Sequence, residues 1–487
     1  MIGIKDLGSY IPAFRINRQN IVKAWDMDEM IIKMMIGEKA LAGFDEDSLT
    51  MASEAILLAT QEHSSADVDG IYFASTTAPY LEKSVSSTLG EIADLGLNIS
   101  TIDFGNSLRA GTSALLAALN AVKAGANKGI AVVGSDMRQM EPQSFMEAMM
   151  GDGAASVLVG EGDDVLAEFE GSFSVSQELY DYWRKVSDKY IQSDDEKFAA
   201  LKGYLNMVPK ALTGLVEKLN LDASKVTKIL AYASDANTYK ALIKRSGEFA
   251  MLFNQDPTLL LGVGNTGVAN ALLQLVMALE EANPGDRIIL LSYGDGAEAF
   301  SFKVTDNITA YKSKGKRTVR DWIENKIDMP FYAKLLKWRE QITTAGGLWE
   351  FEPYTSITEL YREKKNNIAL YAVKCKKCGS IYYPTKRVCP ECGSIDEWDD
   401  FKLSKRGKIV TFTRERALPN PDHPVGMAVV DFEGGGRSFT QLADMPPEWQ
   451  DRNGSLIDRE VELTYRVFHK AKGFFNYYWK ARPVRGK

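Results

Sequence analysis

Cysteine is almost absent from this 487-residue chain. Residues 1–374 contain none, and the four cysteines lie between positions 375 and 392. Histidine is nearly as scarce, because only His63, His423 and His469 occur. A thiolate nucleophile and a disulfide are therefore excluded from residues 1–374. An imidazole base in that part of the chain could come only from His63, which the sequence places at a polar helix end.

Long apolar runs and an excess of positive charge are also missing. No stretch of about 18 apolar residues occurs, so no membrane span is expected. The formal net charge is −7, which argues against a protein built mainly to bind nucleic acid. The first residues lack the apolar core of a signal peptide. We therefore expect a cytoplasmic globular protein of two or three domains.

What the chain does contain is an internal repeat. Residues 105–136 and 264–295 share their length and the order of glycine turn, apolar helix, loop and strand. The same offset of 159 residues aligns Tyr80 with Tyr239. One long offset that holds without gaps indicates a duplicated half-domain. Because strands and helices alternate in both halves, we predict a layered α/β fold whose sheets are covered by helices.

The four cysteines follow the spacing C-x2-C-x10-C-x2-C, at Cys375, Cys378, Cys389 and Cys392. Two CxxC pairs supply four thiolates that can converge on one tetrahedral Zn²⁺ ion. Such a site is structural, because no coordination position remains open for a substrate. The alternative is a pair of disulfides, which an intracellular chain disfavours.

We divide the chain into four parts. They are a two-half α/β domain at 1–305, a charged helical bridge at 306–370, a zinc ribbon at 371–400 and a small OB-type β-barrel at 401–487. Five short strand-like runs, broken by glycine and proline, support the barrel. Within the first part we expect helices at Gln19–Lys33 and Ser48–Glu62. A polar, partly helical insertion is expected at Asp164–Asn220, and DYWRKVSDKY is its most distinctive motif.

Six segments in residues 1–305 resemble, as an ordered set, the thiolase superfamily and within it the 3-hydroxy-3-methylglutaryl-CoA (HMG-CoA) synthase branch. They are FDEDSLTMASEA, ASTTAPYLEKS, SLRAGTSALLAAL, GDGAASVLVG, GNTGVANALLQL and PGDRIILLSYGDGAEAF. Residues 365–487 resemble the family that joins a zinc ribbon to an OB-fold and accompanies thiolase-like enzymes. The resemblance implies a duplicated α/β/α/β/α fold, an acyl-CoA substrate with CoA as the carrier, and a homodimer formed through the thiolase-like domain.

The resemblance also implies three catalytic residues, and the chain departs from each. The family's cysteine precedes the segment Arg109-Ala110-Gly111-Thr112, where this chain has Leu108. Ser107 lies one residue away. Thr76 stands in place of the family's glutamate, and the loop at 234–237 lacks the family's histidine. Acyl transfer through a thiolate is therefore not available.

Three functions remain open at this point. The main prediction is aldol or retro-aldol chemistry on a 3-hydroxyacyl-CoA, for which cysteine-less relatives offer a precedent. That reaction needs a base and donors that stabilise a thioester enolate. The first alternative is an HMG-CoA synthase-like condensation of acyl-CoAs, which is an acyltransferase reaction. The second is a non-catalytic acyl-CoA-binding scaffold for a partner enzyme.

The candidate catalytic residues are Asp235, Tyr239, Tyr80, Asn265 and Glu298. Asp235 is the favoured base, because it lies where the resemblance places the histidine; capping of a helix is its alternative role. The two tyrosines occupy matching loops of the repeat. The resemblance implies that Asn265 positions water or an enolate and that Glu298 lies near the site.

The candidate CoA-binding residues are Arg109, Ser107, Lys470, Lys472 and Trp479. The last three belong to the segment from Thr464 to Lys487, which has seven Lys/Arg residues and no acid. Cations beside aromatic rings suit an adenine ring and the phosphates of CoA. Binding of single-stranded nucleic acid and an ordinary solvated face are the alternatives.

Overall fold

The structure, a computed structural model, describes residues 1–233, 235–254, 256–343, 355–416, 422, 424–471 and 473–485. These residues form two compact units. The first contains Met1–Ala42 and Asp47–Tyr332, and the second contains Gly43–Glu46 and Ala333–Gly486. The boundary after Tyr332 falls within the segment that the sequence assigns to a helical bridge.

The first unit contains a large mixed sheet and a separate sheet of three short strands. Its strands are β1 (Ile2–Tyr10), β2 (Phe14–Asn17), β3 (Glu38–Leu41), β4 (Gly70–Ala74), β5 (Ser100–Phe104), β6 (Gly129–Asp136), β7 (Gly153–Glu161), β8 (Ala167–Ser176), β9 (Lys228–Leu230), β10 (Arg287–Tyr293), β11 (Gly296–Val304) and β12 (Ile327–Asp328).

The helices of the first unit are α1 (Arg18–Ala24), α2 (Glu29–Met34), α3 (Ser48–Thr60), α4 (Val85–Ile92), α5 (Ala110–Lys123), α6 (Phe145–Met149), α7 (Glu196–Ala199), α8 (Leu205–Leu219), α9 (Ala236–Arg245), α10 (Thr258–Gly262), α11 (Ala269–Glu281), α12 (Asn307–Ser313) and α13 (Val319–Glu324). A π-helical turn at Ala200–Tyr204 and 3-10 turns at Ala223–Lys225 and Gly247–Leu252 complete the set.

The large sheet has nine strands in the order β5-β4-β6-β7-β1-β8-β11-β10-β9. In the first half, β4 and β6 are parallel and β7 runs antiparallel to β6. In the second half, β9 and β10 are parallel and β11 runs antiparallel to β10. Strands β1 and β8 join the halves. The duplicated α/β fold predicted from the 159-residue offset is therefore confirmed.

Helices α5 and α11 are the equivalent helices of the two halves. Leu115 and Leu119 of α5 and Leu272 and Leu275 of α11 are fully buried, which stabilises the fold by roughly 1.5–3 kcal/mol for each side chain. The two helices approach closely at Gly111, where an added Cβ would lie only 2.7 Å from the Val268 carbonyl oxygen. This approach brings the turns that precede both helices together.

Two predictions for the first unit were wrong in detail. The region Gln19–Lys33 forms two helices, because Asp26 adopts a left-handed conformation (φ 51°) and Asp28 caps the second helix. The insertion Asp164–Asn220 contains β8, a ten-residue strand in the middle of the sheet. Its polar residues alternate with apolar ones, which is typical of a half-exposed strand rather than of a polar loop.

The second unit contains two antiparallel sheets and short helices. The elements are α14 (Tyr332–Trp338), whose first residue ends the first unit, α15 (Ile357–Arg362), α16 (Lys364–Asn367), β13 (Tyr371–Cys375), β14 (Ile381–Tyr382), β15 (Trp398–Lys402), β16 (Arg406–Glu415), β17 (Val425–Phe432), β18 (Arg437–Gln441), α17 (Pro447–Gln450), β19 (Glu460–Ala471) and β20 (Phe474–Pro483). The sheet orders are β14-β13-β15 and β18-β17-β16-β19-β20. The predicted ribbon and small β domain, including its five strands, are confirmed.

Candidate active site and zinc centre

A cavity of about 230 Å³ opens beside the turn before α5. Its walls are partly apolar, with Leu108, Val208 and Leu291 among them. Its polar lining comes from the insertion before α8, from the loops after β9 and β10, and from the start of α11; the main residues are Asp181, Tyr182, Glu196, Tyr232, Asp235, Asn265, Asn270 and Tyr293. The cavity is therefore enclosed by both halves of the duplicated fold.

A wider groove of about 890 Å³ meets this cavity. Leu108, Asp181 and Tyr182 line both spaces. The groove also carries the exposed cations Lys83 and Arg184. A ligand lying along the groove would thus bring one end to Leu108, the position that the resemblance assigns to a cysteine.

Among the titratable groups that line this cavity, Asp181 is the one best suited to act as an acid or a base. Burial raises the pKa of its carboxyl to about 6, and the Tyr293 hydroxyl donates a hydrogen bond to it. Burial also raises the pKa of Tyr182 and of Tyr293 above the usual phenol value, so both stay protonated at neutral pH. A carboxylate with a pKa near neutrality is suited to take up and return a proton.

A second carboxylate, Asp136 at the end of β6, organises the loop after β4. Its oxygens accept hydrogen bonds from the hydroxyls of Ser75 (3.0 Å), Thr76 (3.0 Å) and Thr77 (2.9 Å). The backbone N–H groups of Thr76 (2.7 Å) and Val268 (2.9 Å) donate to it as well. Thr76 occupies the position of the family's glutamate, and its hydroxyl donates its hydrogen bond to Asp136, which stabilises this loop.

Asp235 lines the cavity and caps α9. Its Oδ1 accepts the backbone N–H groups of Asn237 (2.8 Å) and Thr238 (2.9 Å), and its Oδ2 accepts the Thr238 hydroxyl at 2.6 Å. These contacts are those of a helix N-cap. Both carboxylate oxygens thus have local partners.

Asn265 also lines the cavity. Its Oδ1 accepts the N–H of Gly267 at 2.9 Å, and its side chain hydrogen-bonds the Tyr232 hydroxyl. Burial raises the pKa of Tyr232 above the usual value. The pair places neutral polar groups on the wall beside Leu108.

The other three catalytic candidates lie elsewhere in the first unit. Tyr80 lines the groove. The Tyr239 hydroxyl donates to the Asn254 carbonyl at 2.5 Å, and burial raises the pKa of Tyr239 to about 12. Glu298 is buried beneath α5, where burial raises its pKa and its Oε1 accepts the Ser113 hydroxyl at 3.2 Å.

Ser107 and Arg109, the two CoA-binding candidates from the turn before α5, differ in whether their side chains reach the groove. Ser107 lines the groove, and its Oγ accepts the backbone N–H of Arg109 at 3.3 Å. The Arg109 guanidinium turns away from the groove: its Nη1 donates to the Val175 carbonyl at 3.3 Å and lies 3.9 Å from Glu298 Oε1. His63 pairs with Asp6 at 2.9 Å at the end of α3 and lies outside the cavity lining.

The basic C-terminal segment is largely engaged within the second unit. Lys470 pairs with Glu340 at 3.3 Å, and the buried Trp479 donates to the Ile368 carbonyl at 3.0 Å. Lys472 lies outside the described residues, as does His423. Three further cations are buried in ion pairs, namely Arg466 with Asp444 (2.6 Å), Lys480 with Asp45 (2.8 Å) and Arg482 with Glu462 (2.9 Å). Residues Gly43–Glu46 join the second unit through this cluster.

The four cysteines of the second unit form one group. Their sulfur atoms all lie within 4.8 Å of one another. Cys375 Sγ is 3.7 Å from Cys392 Sγ, and Cys378 Sγ is 3.5 Å from Cys389 Sγ. Zn–S bonds of about 2.3 Å place tetrahedral sulfurs roughly 3.8 Å apart, so the group fits one zinc ion. All four are free cysteines, which removes the disulfide alternative.

Solved structures share the fold of the first unit. MvaS in complex with 3-hydroxy-3-methylglutaryl coenzyme A matches with a TM-score of 0.61 and 21% identity, over 72% of this chain and 94% of that one. The 3-oxoacyl-[acyl-carrier-protein] synthase III from Aquifex aeolicus VF5 matches with a TM-score of 0.56 and 18% identity, over 62% and 100%. The chain therefore has the thiolase-like fold.

Sequence relatives define the family. The hydroxymethylglutaryl-CoA synthase of Archaeoglobus fulgidus is 32% identical over 348 residues, which cover 70% of this chain and 99% of the relative. That of Pyrobaculum arsenaticum is 31% identical over 350 residues, which cover 70% and 98%. The chain belongs to the hydroxymethylglutaryl-CoA synthase family. Residues 362–396 match the rubredoxin-like zinc ribbon domain of ChsH2.

Sequence reasoning missed several residues of the cavity. Asp181 and Tyr182 belong to the motif DYWRKVSDKY, whose unusual composition was the one available signal. Tyr232 lies two residues after the end of β9. The 159-residue offset of the repeat aligns it with Phe73. Nothing in the sequence indicated that Tyr293 would contact Asp181. Among the described residues, no helix has both the length and the apolar character that a membrane crossing requires.

Proposed function

We propose that the first unit forms a carbon–carbon bond between an acyl-CoA thioester and a ketone or aldehyde, and cleaves the same bond in reverse. The product named by its family, hydroxymethylglutaryl-CoA, carries a hydroxyl on the carbon β to the thioester. Addition of a thioester enolate to a carbonyl gives this pattern. Aldol addition and retro-aldol cleavage are thus two directions of one reaction, whereas an HMG-CoA synthase-like condensation of two acyl-CoAs also releases one CoA.

The observation that carries the proposal is the Asp181 carboxyl beside Leu108 at the meeting of the two cavities. Leu108 cannot hold an acyl group, although the preceding residue, Ser107, carries a hydroxyl and lines the groove. The acyl group would therefore remain on CoA throughout. This distinguishes the proposed reaction from one that passes through an acyl-enzyme.

Asp181 serves as the proton carrier in this scheme. Its carboxylate takes a proton from the carbon next to the thioester carbonyl, and the electron pair moves into an enolate. The enolate carbon attacks the acceptor carbonyl, whose oxygen becomes an alkoxide and takes the proton back from Asp181. Hydrogen bonds from Tyr232 and Asn265 stabilise the enolate oxygen. No atom is lost, and the product is a 3-hydroxyacyl-CoA.

We propose that CoA binds in the groove, because the exposed side chains of Lys83, Arg184 and Lys185 on its rim can bind phosphate groups.

We further propose a homodimer that forms through β5, which is an edge strand of the nine-stranded sheet. Ile102 of this strand is 43% exposed. An exposed edge of this kind is commonly covered by pairing with another strand. The four thiolates of the ribbon would hold one structural zinc ion, which fits a reducing, cytoplasmic setting.

The test is a turnover assay by mass spectrometry. Acetyl-CoA or propionyl-CoA is mixed with a panel of ketones and aldehydes, and the reverse reaction is followed with a panel of 3-hydroxyacyl-CoAs. We expect a new 3-hydroxyacyl-CoA in the first assay and a shorter acyl-CoA in the second. Asp181→Asn should abolish both, whereas Asp188→Asn, a change in the same insertion but outside the cavity lining, should leave both intact.

A scaffold without catalysis is the second candidate, because Leu108 and Thr76 replace two residues of the family's machinery. It predicts that CoA thioesters bind while every panel member remains unchanged. In that case the carbon–carbon bond proposal fails.

A further inference from the structure

One buried hydroxyl in the wall of the inner cavity makes no hydrogen bond. It belongs to Tyr204, which lines the cavity and is only 7% exposed. Among the described residues, no group donates to the Tyr204 hydroxyl or accepts from it. A buried polar group without a partner is costly, and folded proteins rarely leave one unexplained. A polar atom of a ligand in the cavity would supply the missing partner.

The helical segment that carries Tyr204 presents one stripe of residues to the cavity. Helix α7, the π-helical turn and α8 follow one another without a break from Glu196 to Leu219. Four residues of this segment, each four positions from the next, line the cavity: Glu196, Ala200, Tyr204 and Val208. Residues four apart drift by about 40° around a regular α-helix, and the wider π-helical turn offsets this drift. Single π-helical turns of this kind are frequent at functional sites.

The same turn also contacts the proposed base through Tyr293. The rings of Tyr204 and Tyr293 meet edge to face, with 5.4 Å between their centroids, and the Tyr293 hydroxyl donates to Asp181. Gly203 leaves the space for that hydroxyl, because a Cβ at this glycine would lie only 1.9 Å from the Tyr293 oxygen. The π-helical turn therefore places an unpartnered hydroxyl close to the pair formed by Tyr293 and Asp181.

The Tyr204 hydroxyl is a hydrogen-bond donor at neutral pH. Burial raises its pKa well above the usual phenol value, and the nearby Tyr239, Tyr232 and Asp235 raise it further. Tyr232 and Asp235 line the same cavity, so they mark the side on which the hydroxyl lies. A fixed donor in a site of this kind is suited to an oxygen atom that gains negative charge during a reaction.

We propose that Tyr204 is a further catalytic residue, whose hydroxyl binds the carbonyl oxygen of the ketone or aldehyde that accepts the enolate. The inference rests on the proposed function, because it assumes that Asp181 generates the enolate. As the carbon–carbon bond forms, the π electrons of the acceptor carbonyl move onto its oxygen, and this alkoxide takes its proton from Asp181. Tyr204 keeps its own proton and stabilises the alkoxide through a hydrogen bond.

The competing role for Tyr204 is packing alone, since its ring belongs to the apolar core around α8. Tyr204→Phe separates the two roles, because it keeps the ring and removes only the hydroxyl. That hydroxyl makes no hydrogen bond within the described part of the chain. The free energy of unfolding should therefore stay the same or rise in Tyr204→Phe. A purely structural tyrosine would show no effect on catalysis in this variant.

Two assays on the full chain test the proposal. In the first, acetyl-CoA or propionyl-CoA is mixed with the panel of ketones and aldehydes. Tyr204→Phe should lower the rate of 3-hydroxyacyl-CoA formation by roughly 10²–10³-fold, the usual effect of removing one oxyanion donor. In the second, acetyl-CoA is incubated in D2O without an acceptor. Deuterium exchange at the acetyl methyl should keep its wild-type rate in Tyr204→Phe, because no acceptor oxygen takes part.

Tyr311→Phe is the matched control. Tyr311 is a buried tyrosine of α12 that lines neither the cavity nor the groove. Both rates should stay at the wild-type level in this variant.

Three results would contradict the inference. Wild-type turnover in Tyr204→Phe would overturn it and leave the proposed function standing. An equal loss of turnover and of deuterium exchange would overturn it as well, because Tyr204 would then act on the enolate step. If the wild-type protein converts no member of the panel, the proposed function fails, and the inference fails with it.

Discussion

At the scale of single residues, Leu108 decides what chemistry the site can perform. Its side chain meets both the cavity and the groove, where a thiolate would have accepted the acyl group. Without that step, the thioester itself must be activated, and a base is needed within reach of its α-carbon. Asp181 has the required burial, and its hydrogen bond to Tyr293 fixes its position.

The first prediction concerns the missing covalent step. Incubation with acetyl-CoA or acetoacetyl-CoA should leave the intact mass of the protein unchanged, because residues 1–374 contain no thiol. High-resolution mass spectrometry of the intact chain measures this. An acyl adduct mapped by peptide analysis to Ser107 would contradict the account, since it would reveal an acyl-serine intermediate.

The second prediction concerns pH. Because the pKa of Asp181 is raised to about 6, its carboxylate is protonated as the pH falls through that value. The proposed base is then lost, so kcat/KM should fall about tenfold per pH unit below about 6. A pH–rate profile of the wild-type protein provides the measurement. A profile that stays flat down to pH 4.5 would assign the base to a group with an ordinary carboxyl pKa.

At the scale of elements, Asp235 at the start of α9 has a position that fits both a catalytic base and a helix N-cap. Asp235 lies in the loop expected to hold a catalytic residue, and it lines the cavity. Its three short hydrogen bonds all run to the first turn of α9. A carboxylate engaged in this way stabilises the helix that forms part of the cavity wall.

The third prediction separates these roles. Asp235→Ala should destabilise the first unit by about 1 kcal/mol, the usual effect of losing an N-cap, whereas Asp235→Asn should retain most of the cap. Urea denaturation measures the free energy of unfolding of both variants. If both keep their stability while turnover falls by roughly 10²–10⁴-fold, Asp235 is the base after all.

Elements also show which parts of the fold the sequence could predict. The 159-residue offset identified β6 with β10 and α5 with α11, because a duplication preserves local patterns. Strand β8 was missed, because its identity depends on pairing with β1 and β11 rather than on its own residues. The four cysteines were correctly predicted to form one group, since metal-ligand spacing is local in the chain.

At the scale of the whole molecule, the chain combines a thiolase-like unit with a zinc ribbon and a small β domain. The proposed zinc ligands all belong to the second unit, and the cavity and groove belong to the first. The catalytic candidates were harder to predict for a related reason. Asp181 and Tyr293 lie far apart in sequence, and only the folded sheet brings them together.

The fourth prediction follows from this division. Cys375→Ser should remove the bound zinc and destabilise the second unit, while the first unit keeps its structure because it contributes no ligand. Metal analysis and limited proteolysis measure the two effects. Loss of the whole chain to proteolysis at the same rate would contradict the expected independence of the first unit.

The central claim is that Asp181 removes a proton from a thioester that is still attached to CoA, and hydrogen exchange tests it most directly. Acetyl-CoA is incubated with the protein in D2O without any carbonyl acceptor, and deuterium at the acetyl methyl is followed by mass spectrometry. The account predicts exchange with the wild-type protein and with Asp235→Asn, and a loss of roughly 10²–10⁴-fold in Asp181→Asn. Unchanged exchange in Asp181→Asn, or exchange that disappears only in Asp235→Asn, would contradict it.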